Sequence, residues 1–473
     1  MKYKATIGLE VHVQLKTQTK MFCGCGTAFG LPPNTNICPG CLGFPGALPV
    51  TNREAVQRIA MAGMMLNCDI QLFSKFDRKS YFYPDVGKNY QVTQLDQPIC
   101  LGGKVAFEVN GEKKTINLRR IHLEEDVGKS THHAKCSGVD FNRCSLPLAE
   151  IVTQPELHSP EETLAFLLAL KELLVYAGVS DCNLEEGKLR CDVNVSVMPE
   201  GQPGLGGRVE IKNMNTFKGV VAALEYEIPR QISVCESGGK IRQETRRWDP
   251  DLGETFAMRS KENAEDYRYY PEPDLPPIIL TEAQVAEWRA LLPEAPAARR
   301  ERLVSEYGIT PYDAGVLSAE RNVADYFEVV AKACGSGKTA ANWIMGDVFK
   351  LVTERNRPLC DSALTPDILS SLIKLVLNET ISGTVAKELL GELFDNSGDP
   401  AALVTARGLA QVRDTGVLEK LVADVIAENP KVVADFKAGK KASAGFLVGQ
   451  VMKRSGGKAD PKMVSAMVEA ALL

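Results

Sequence analysis

Ile7-Gly8-Leu9-Glu10-Val11-His12-Val13-Gln14-Leu15 sets apolar side chains at the odd positions against, after Gly8, polar ones at the even positions. A period of two marks a half-buried β-strand and places Glu10, His12 and Gln14 on one face. The pattern returns in Leu189-Arg190-Cys191-Asp192-Val193-Asn194-Val195-Ser196-Val197, where Arg190, Asp192, Asn194 and Ser196 oppose an apolar row. It returns again in Arg208-Val209-Glu210-Ile211-Lys212, with Arg208, Glu210 and Lys212 on the polar side. One such strand alone is ordinarily the solvated face of an antiparallel sheet. Three that carry His, Asn, Asp and Gln beside carboxylates favour the hard oxygen and imidazole ligands of Mg²⁺ or Mn²⁺, with Arg and Lys alongside for phosphate. Ile121-His122-Leu123-Glu124-Glu125-Asp126 adds further carboxylates. Only alternate ones share a face, so Glu125 is expected at the site, with Glu124 and Asp126 behind it or toward solvent. Such a sheet floor can hold Mg²⁺-ATP and neutralise a phosphoryl group in transfer, the logic of carboxylate activation.

Around these strands the chain reads as two regions. Up to about residue 280, short strands alternate with Gly, Pro and Asn, broken by a helix after Ser159-Pro160 and another from about Lys218 to Glu236, which Pro229 is expected to kink or interrupt. The proline-rich Tyr269-Tyr270-Pro271-Glu272-Pro273-Asp274-Leu275-Pro276-Pro277 fits neither a helix nor a central strand and marks the approach to a boundary. Beyond about Thr281 the pattern is helical almost throughout, with a cap at Thr365-Pro366-Asp367 and a further division at Asn396-Ser397-Gly398-Asp399-Pro400.

The length of 473 residues exceeds what one core holds, roughly 250–300 residues, so two or three domains are expected. At 44% hydrophobic and 24% charged residues, the composition is that of an ordinary globular protein and argues against disorder. No run approaches the roughly 18–20 apolar residues of a membrane span, and Met1-Lys2-Tyr3-Lys4 leads into a strand rather than a signal-peptide core. A cytoplasmic chain with no membrane partner is expected. A net charge of -5 means that any nucleic acid must be held by a local patch rather than by the field of the whole molecule.

Cys23-Gly24-Cys25 and Cys38-Pro39-Gly40-Cys41 offer four thiolates on two short spacers, the donor set of structural Zn²⁺. The other cysteines are scattered. Gly335-Ser336-Gly337-Lys338-Thr339 resembles a P-loop but has Lys332 where the first glycine is required, and no strand leads into it. His132-His133 reads as a polar loop. No nucleophile elbow or amidase-type Ser/Lys pattern stands out, so no glutaminase is visible in this chain.

Gly8 to Leu15, Lys75-Phe76-Asp77-Arg78-Lys79-Ser80-Tyr81-Phe82-Tyr83-Pro84-Asp85, His122 to Lys129 and Glu244-Thr245-Arg246-Arg247-Trp248 closely resemble the B subunits of aspartyl/glutamyl-tRNA amidotransferases. The carboxyl end, Gly445 to Lys453 and Gly456 to Pro461, resembles the tail domain of the same family. The resemblance covers essentially the whole chain. It implies an α+β protein: a cradle domain on antiparallel sheet with helices (1–292), an all-α helical domain (293–400) and a small α-helical tail domain (401–473).

The resemblance further implies a heterotrimer in which an amidase (glutaminase) partner, the A chain, and a small third partner, the C chain, join this one. Ammonia from the amidase would reach the present chain, where ATP phosphorylates the side-chain carboxylate of Glu-tRNA(Gln) or Asp-tRNA(Asn) and ammonia displaces the acyl phosphate. The family's Mg²⁺ site maps to Glu10, His12, Glu125, Glu150, Asp192 and Glu210. Of these, Glu10, His12, Glu125, Asp192 and Glu210 are expected in catalysis, and Glu150 enters through the resemblance alone. Lys79 and Lys88 are expected at ATP phosphates, and the four cysteines at a structural zinc outside catalysis. In the tail, Lys437, Lys440, Lys441, Lys453, Arg454, Lys458 and Lys462 form a patch suited to tRNA phosphates.

Two other readings remain open on the residues. A free-standing amide ligase resembling glutamine synthetase would use the same face on a small acid but leaves the basic tail unexplained. A zinc-stabilised tRNA-binding protein without chemistry would tolerate loss of Glu10 or Asp192.

Overall fold

The structure is a computed structural model that describes residues 2–202, 204–260, 267–410, 415–437, 443–455, 459 and 461–472. The chain forms two compact units, Met1–Ala295 and Pro296–Leu473.

The alternation read from Ile7 to Leu15 makes the strand Tyr3–Gln14, whose Ile7, Leu9, Val11 and Val13 are at most 1% exposed. It lies inside a ten-stranded sheet, between Pro147–Thr153 and Leu189–Pro199. On the Leu189–Pro199 side follow Val209–Lys212, Glu244–Asp249 and Glu254–Ser260; on the other come Glu112–Glu125, Cys100–Leu101 and Asp69–Ile70, with Lys104–Val109 also paired to Glu112–Glu125. All pairs are antiparallel except Val209–Lys212 with Glu244–Asp249. A parallel pair needs a crossover, and the helix Phe217–Glu236 supplies it.

Helices Arg53–Met65, Pro160–Tyr176 and Phe217–Glu236 pack with the apolar rows into one core. Each fully buried Leu, Ile or Val there is worth about 1.5–3 kcal/mol relative to exposure, which fixes the register and leaves the polar rows facing away. Asn52 and Ser159 cap the first two helices, each accepting from backbone N–H groups of the opening turn. Of the expected kink or interruption at Pro229, the interruption does not occur. Pro229 lies inside a continuous helix on its exposed side, where the carbonyl it leaves unpaired can turn to water.

A second sheet of three strands, Tyr270–Pro271, Asp77–Ser80 and Tyr90–Thr93, holds the proline-rich segment as an edge strand, the position a missing N–H permits. Arg78 fixes it through a fork of two 2.7 Å bonds to Glu272 and a 2.9 Å bond to Asp274.

The second unit is helical and has two cores, one from Leu303 to Val404 and one from Leu418 to Leu472. The helix Pro400–Ala406, which follows the expected division at 400/401, sends Val404 into the first core. The P-loop look-alike is a helix junction. Gly335, at φ +72°, ends the helix Arg321–Cys334, and Ser336 caps Gly337–Asn342. Among the described residues no helix is long and apolar enough to cross a membrane.

Candidate active site

The three polar rows are neighbours. Glu10 stands opposite Asp192 and Gly8 opposite Asn194, while Asn194 in turn faces Glu210. Asn194 donates to Glu10 at 2.9 Å, Thr245 donates to Glu210 at 3.0 Å, and the Lys212 ammonium bridges Asp192 and Glu210. Burial disfavours a charged lysine, yet the Asp192 and Glu210 carboxylates hold Lys212 above its ordinary value and keep it protonated.

On the other flank of Tyr3–Gln14, His12 faces Glu150, which faces His122 on the next strand. His12 Nε2 lies 3.5 Å from Glu124 and 3.6 Å from Glu150. One atom from each of the three residues falls within 4.8 Å of the others, so an imidazole and two carboxylates fit one hard divalent cation. His122, almost wholly buried, sets its Nε2 3.1 Å from Glu150 and steadies it from behind.

Crowding splits the two carboxylates. Burial and the Glu150 charge push Glu124 up, whereas the His122 and His12 rings overcome burial and hold Glu150 well below the usual range. His12 is likewise buried against its charge, but the close contact with Glu150 and the carboxylate charges of Glu150, Glu124 and Asp192 raise it to about 9. A site so rich in negative charge invites a cation.

His12, Glu124, Asp192, Arg190, Lys79 and Tyr81 line a cavity of about 170 Å³. Lys79 enters from the smaller sheet with its ammonium 4.9 Å from the ring centre of Tyr267 and 5.9 Å from that of Tyr81. Despite burial, Tyr269, Glu124 and Glu150 keep it above the ordinary lysine value. Arg190 is held by a 2.9 Å bond to Asp126.

Glu10, His12, Asp192, Glu210 and Glu150 thus share the polar face, and Lys79 reaches the cavity. Glu125 and Lys88 are placed elsewhere. Ile121 and Leu123 are buried in the core, so parity turns His122 and Glu124 onto the polar face and Glu125 to the other side. There Glu125 pairs with the Lys88 ammonium and accepts from the Val92 N–H at 3.0 Å. The expectation of Glu125 at the His12 face therefore differs from the geometry, and Lys88 stands beside Glu125 rather than in the lining of the Lys79 cavity. Counting from the two apolar residues, instead of along the carboxylates, picks Glu124 and also His122, which the acidic run alone does not single out.

Cys23, Cys25, Cys38 and Cys41 bring their sulfurs within 4.8 Å of one another. The Cys41 thiol is drawn down to about 5 by hydrogen bonds from Cys23 and the Cys38 backbone N–H and by the Lys20 ammonium. Four converging sulfurs, one already favouring thiolate, match a tetrahedral zinc site. In the tail, Lys453 and Arg454 are exposed on the last turn of Ser443–Arg454, with Arg454 paired to Glu428. Lys440, Lys441 and Lys458 lie outside the described residues, as do the side chains of Lys437 and Lys462.

Residues 5–286 match the family described as GatB/GatE catalytic domain, and residues 325–472 the one described as GatB domain. The aspartyl/glutamyl-tRNA(Asn/Gln) amidotransferase B subunit of Caldicellulosiruptor saccharolyticus is 50% identical, covering 99% of this chain and 98% of its own. That of Caldanaerobacter subterraneus is 50% identical, covering 99% of each chain, and that of Brevibacillus brevis 48%, covering 100% of this chain and 99% of its own. With a catalytic-domain match across the strands that carry His12, Glu124 and Glu150, and relatives similar from end to end, the chain belongs to the family of aspartyl/glutamyl-tRNA(Asn/Gln) amidotransferase B subunits.

Proposed function

We propose that this chain carries out the ATP-dependent amidation of the side-chain carboxylate of Glu-tRNA(Gln), Asp-tRNA(Asn) or both, in a cytoplasmic heterotrimer with the amidase A chain and the small C chain. The observation that carries this reading is the convergence of His12, Glu124 and Glu150 beside Lys79 and Arg190 at the cavity wall. His12, Glu124 and Glu150 hold Mg²⁺, which, when bound, neutralises charge on the phosphoryl group in transfer. Lys79 and Arg190 orient anionic oxygens from the cavity side.

The substrate carboxylate takes the terminal phosphoryl group of ATP, releasing ADP and leaving an acyl phosphate. Ammonia attacks its carbonyl carbon, phosphate leaves, and the surplus proton passes to the carboxylate row of Glu10, Asp192 and Glu210, which Asn194 and Lys212 hold in place. No glutaminase pattern is visible in this chain, so the ammonia comes from the partner amidase. The four cysteines hold zinc, and the tail lysines and Arg454 hold tRNA phosphates.

The test is to purify the chain with its co-eluting partners and assay ATP- and glutamine-dependent conversion of both mischarged tRNAs. Conversion of at least one is expected, and Glu10→Gln or Asp192→Asn should lose ammonia-dependent amidation while retaining tRNA binding. Failure with both tRNAs and a full complement of partners overturns the proposal, whereas full activity in both variants favours a tRNA-binding protein without chemistry.

A further inference from the structure

We infer that the four-cysteine knuckle and the His12 site form one mechanically linked unit, with Lys88 as the positioning residue that joins them; this rests on the metal-binding reading above. The knuckle end of the link is Gly43, which closes the short helix Pro39–Leu42 carrying Cys41. A Cβ at Gly43 would meet the Lys88 stem at 2.2 Å, and the backbone there is left-handed at φ +67°. Only glycine lets the lysine lie flat against the knuckle. The ammonium then passes 5.5 Å from the ring centre of Phe22, the residue before Cys23, and 5.3 Å from that of Tyr90.

At its far end Lys88 pairs with Glu125, whose side chain is 3% exposed, and the Glu125 backbone carbonyl accepts from Gln91 at 2.7 Å. Glu125 is the immediate neighbour of Glu124. Successive residues of a strand share a peptide plane, so a shift that frees Glu125 also turns the carboxylate that meets His12. Cys41, Lys88, Glu125 and Cys144 close around a cavity of about 10 Å³, too small to absorb movement.

The knuckle is itself built to keep its charge inside the protein. Lys20 is fully buried, donates to the Asn36 carbonyl at 2.8 Å and faces the Cys41 sulfur at 3.7 Å. Four thiolates around Zn²⁺ carry two surplus negative charges, and Lys20 offsets part of that excess. Occupancy of the knuckle therefore fixes Gly43 and Phe22, these fix Lys88, and Lys88 fixes the strand end that supplies Glu124.

The test measures Mn²⁺ binding by electron paramagnetic resonance and zinc by a chromogenic chelator, on the full-length chain with its partners. Removing zinc from the wild type should weaken Mn²⁺ binding roughly tenfold, and restoring zinc should recover it. Lys88→Met, which leaves the four thiols intact, should keep its zinc and show the same weakening, with little further loss when zinc is removed. Lys88→Arg should recover most of the affinity, separating the link from general unfolding. The inference fails if Lys88→Met binds Mn²⁺ as the wild type does, or if the two losses multiply. Should zinc removal unfold the chain, the Lys88 variants alone decide. A wild type that binds no Mn²⁺ would refute the metal site itself, and this inference with it.

Discussion

His12 Nε2 and Glu150 Oε2 stand 3.6 Å apart, directly opposite one another on adjacent strands. Their pairing gives a pH dependence with a definite sign. An unfolded histidine titrates near 6.5, and His12 in the fold titrates at about 9. The folded chain thus binds the proton more tightly. The stabilisation is complete below about pH 6.5, declines as the pH rises, and is lost above about 9. In metal-free protein the melting temperature of His12→Gln should fall furthest below wild type near pH 6 and approach it near pH 10. A gap that widens with pH would contradict the assignment.

Glu124→Gln removes one carboxylate from the proposed cation site without touching the knuckle. Mn²⁺ affinity should fall about 10–100-fold and amidation with it, while charged-tRNA binding is kept. Equilibrium binding of Mn²⁺ and of tRNA to the same preparation checks both.

This much of the site was legible because alternation is a local property. Glu10, His12, Asp192 and Glu210 declare their face through the Val, Leu and Ile residues beside them, and they meet because the three strands are neighbours. What alternation cannot give is strand order. Glu150 sits in Leu148-Ala149-Glu150-Ile151-Val152, a single carboxylate in an apolar run, and its role depends on that strand lying beside Tyr3–Gln14. Glu124 was readable from Ile121 and Leu123 but was hidden by counting along the acidic residues. Whether Pro229 interrupts its helix was not legible for a tertiary reason, since helix continuity there turns on which side faces water.

Cys25→Ser should leave the chain with less than one zinc and lower the melting temperature of the first unit by about 5–10 °C, as expected when a structural ligand worth about 2–3 kcal/mol is lost. Calorimetry with parallel metal analysis measures it. An unchanged zinc content would remove Cys25 from the ligand set.

Glu227 is fully buried and accepts from Arg230 at 2.6 and 2.8 Å, Gln231 at 3.0 Å and Thr255 at 2.7 Å. Glu227→Ala strands these donors and should cost about 3–5 kcal/mol in denaturant unfolding. A loss below about 1 kcal/mol would mean that solvent replaces the carboxylate readily.

Replacing Lys453 and Arg454 by Glu should raise KM for charged tRNA and reduce the salt slope of binding by about 1 for each phosphate no longer neutralised. The Mn²⁺ affinity of the His12 site should not move. An unchanged tRNA KM and salt slope would take these two residues out of the tRNA interface.

The strand Tyr3–Gln14 lies between two strands that the ribosome delivers much later, and Asn194, which bonds Glu10, follows it by 184 residues. At about 5–20 residues per second, Tyr3–Gln14 waits on the order of ten seconds or more for its second neighbour. Until Pro147–Thr153 is made both hydrogen-bonding edges of the strand are open, and from then until Leu189–Pro199 follows one edge remains open beside the apolar row of Ile7, Leu9, Val11 and Val13. The strand that carries His12 therefore stays half-paired long after it is made, and a nascent chain of this protein stalled before residue 189 should depend on chaperone protection.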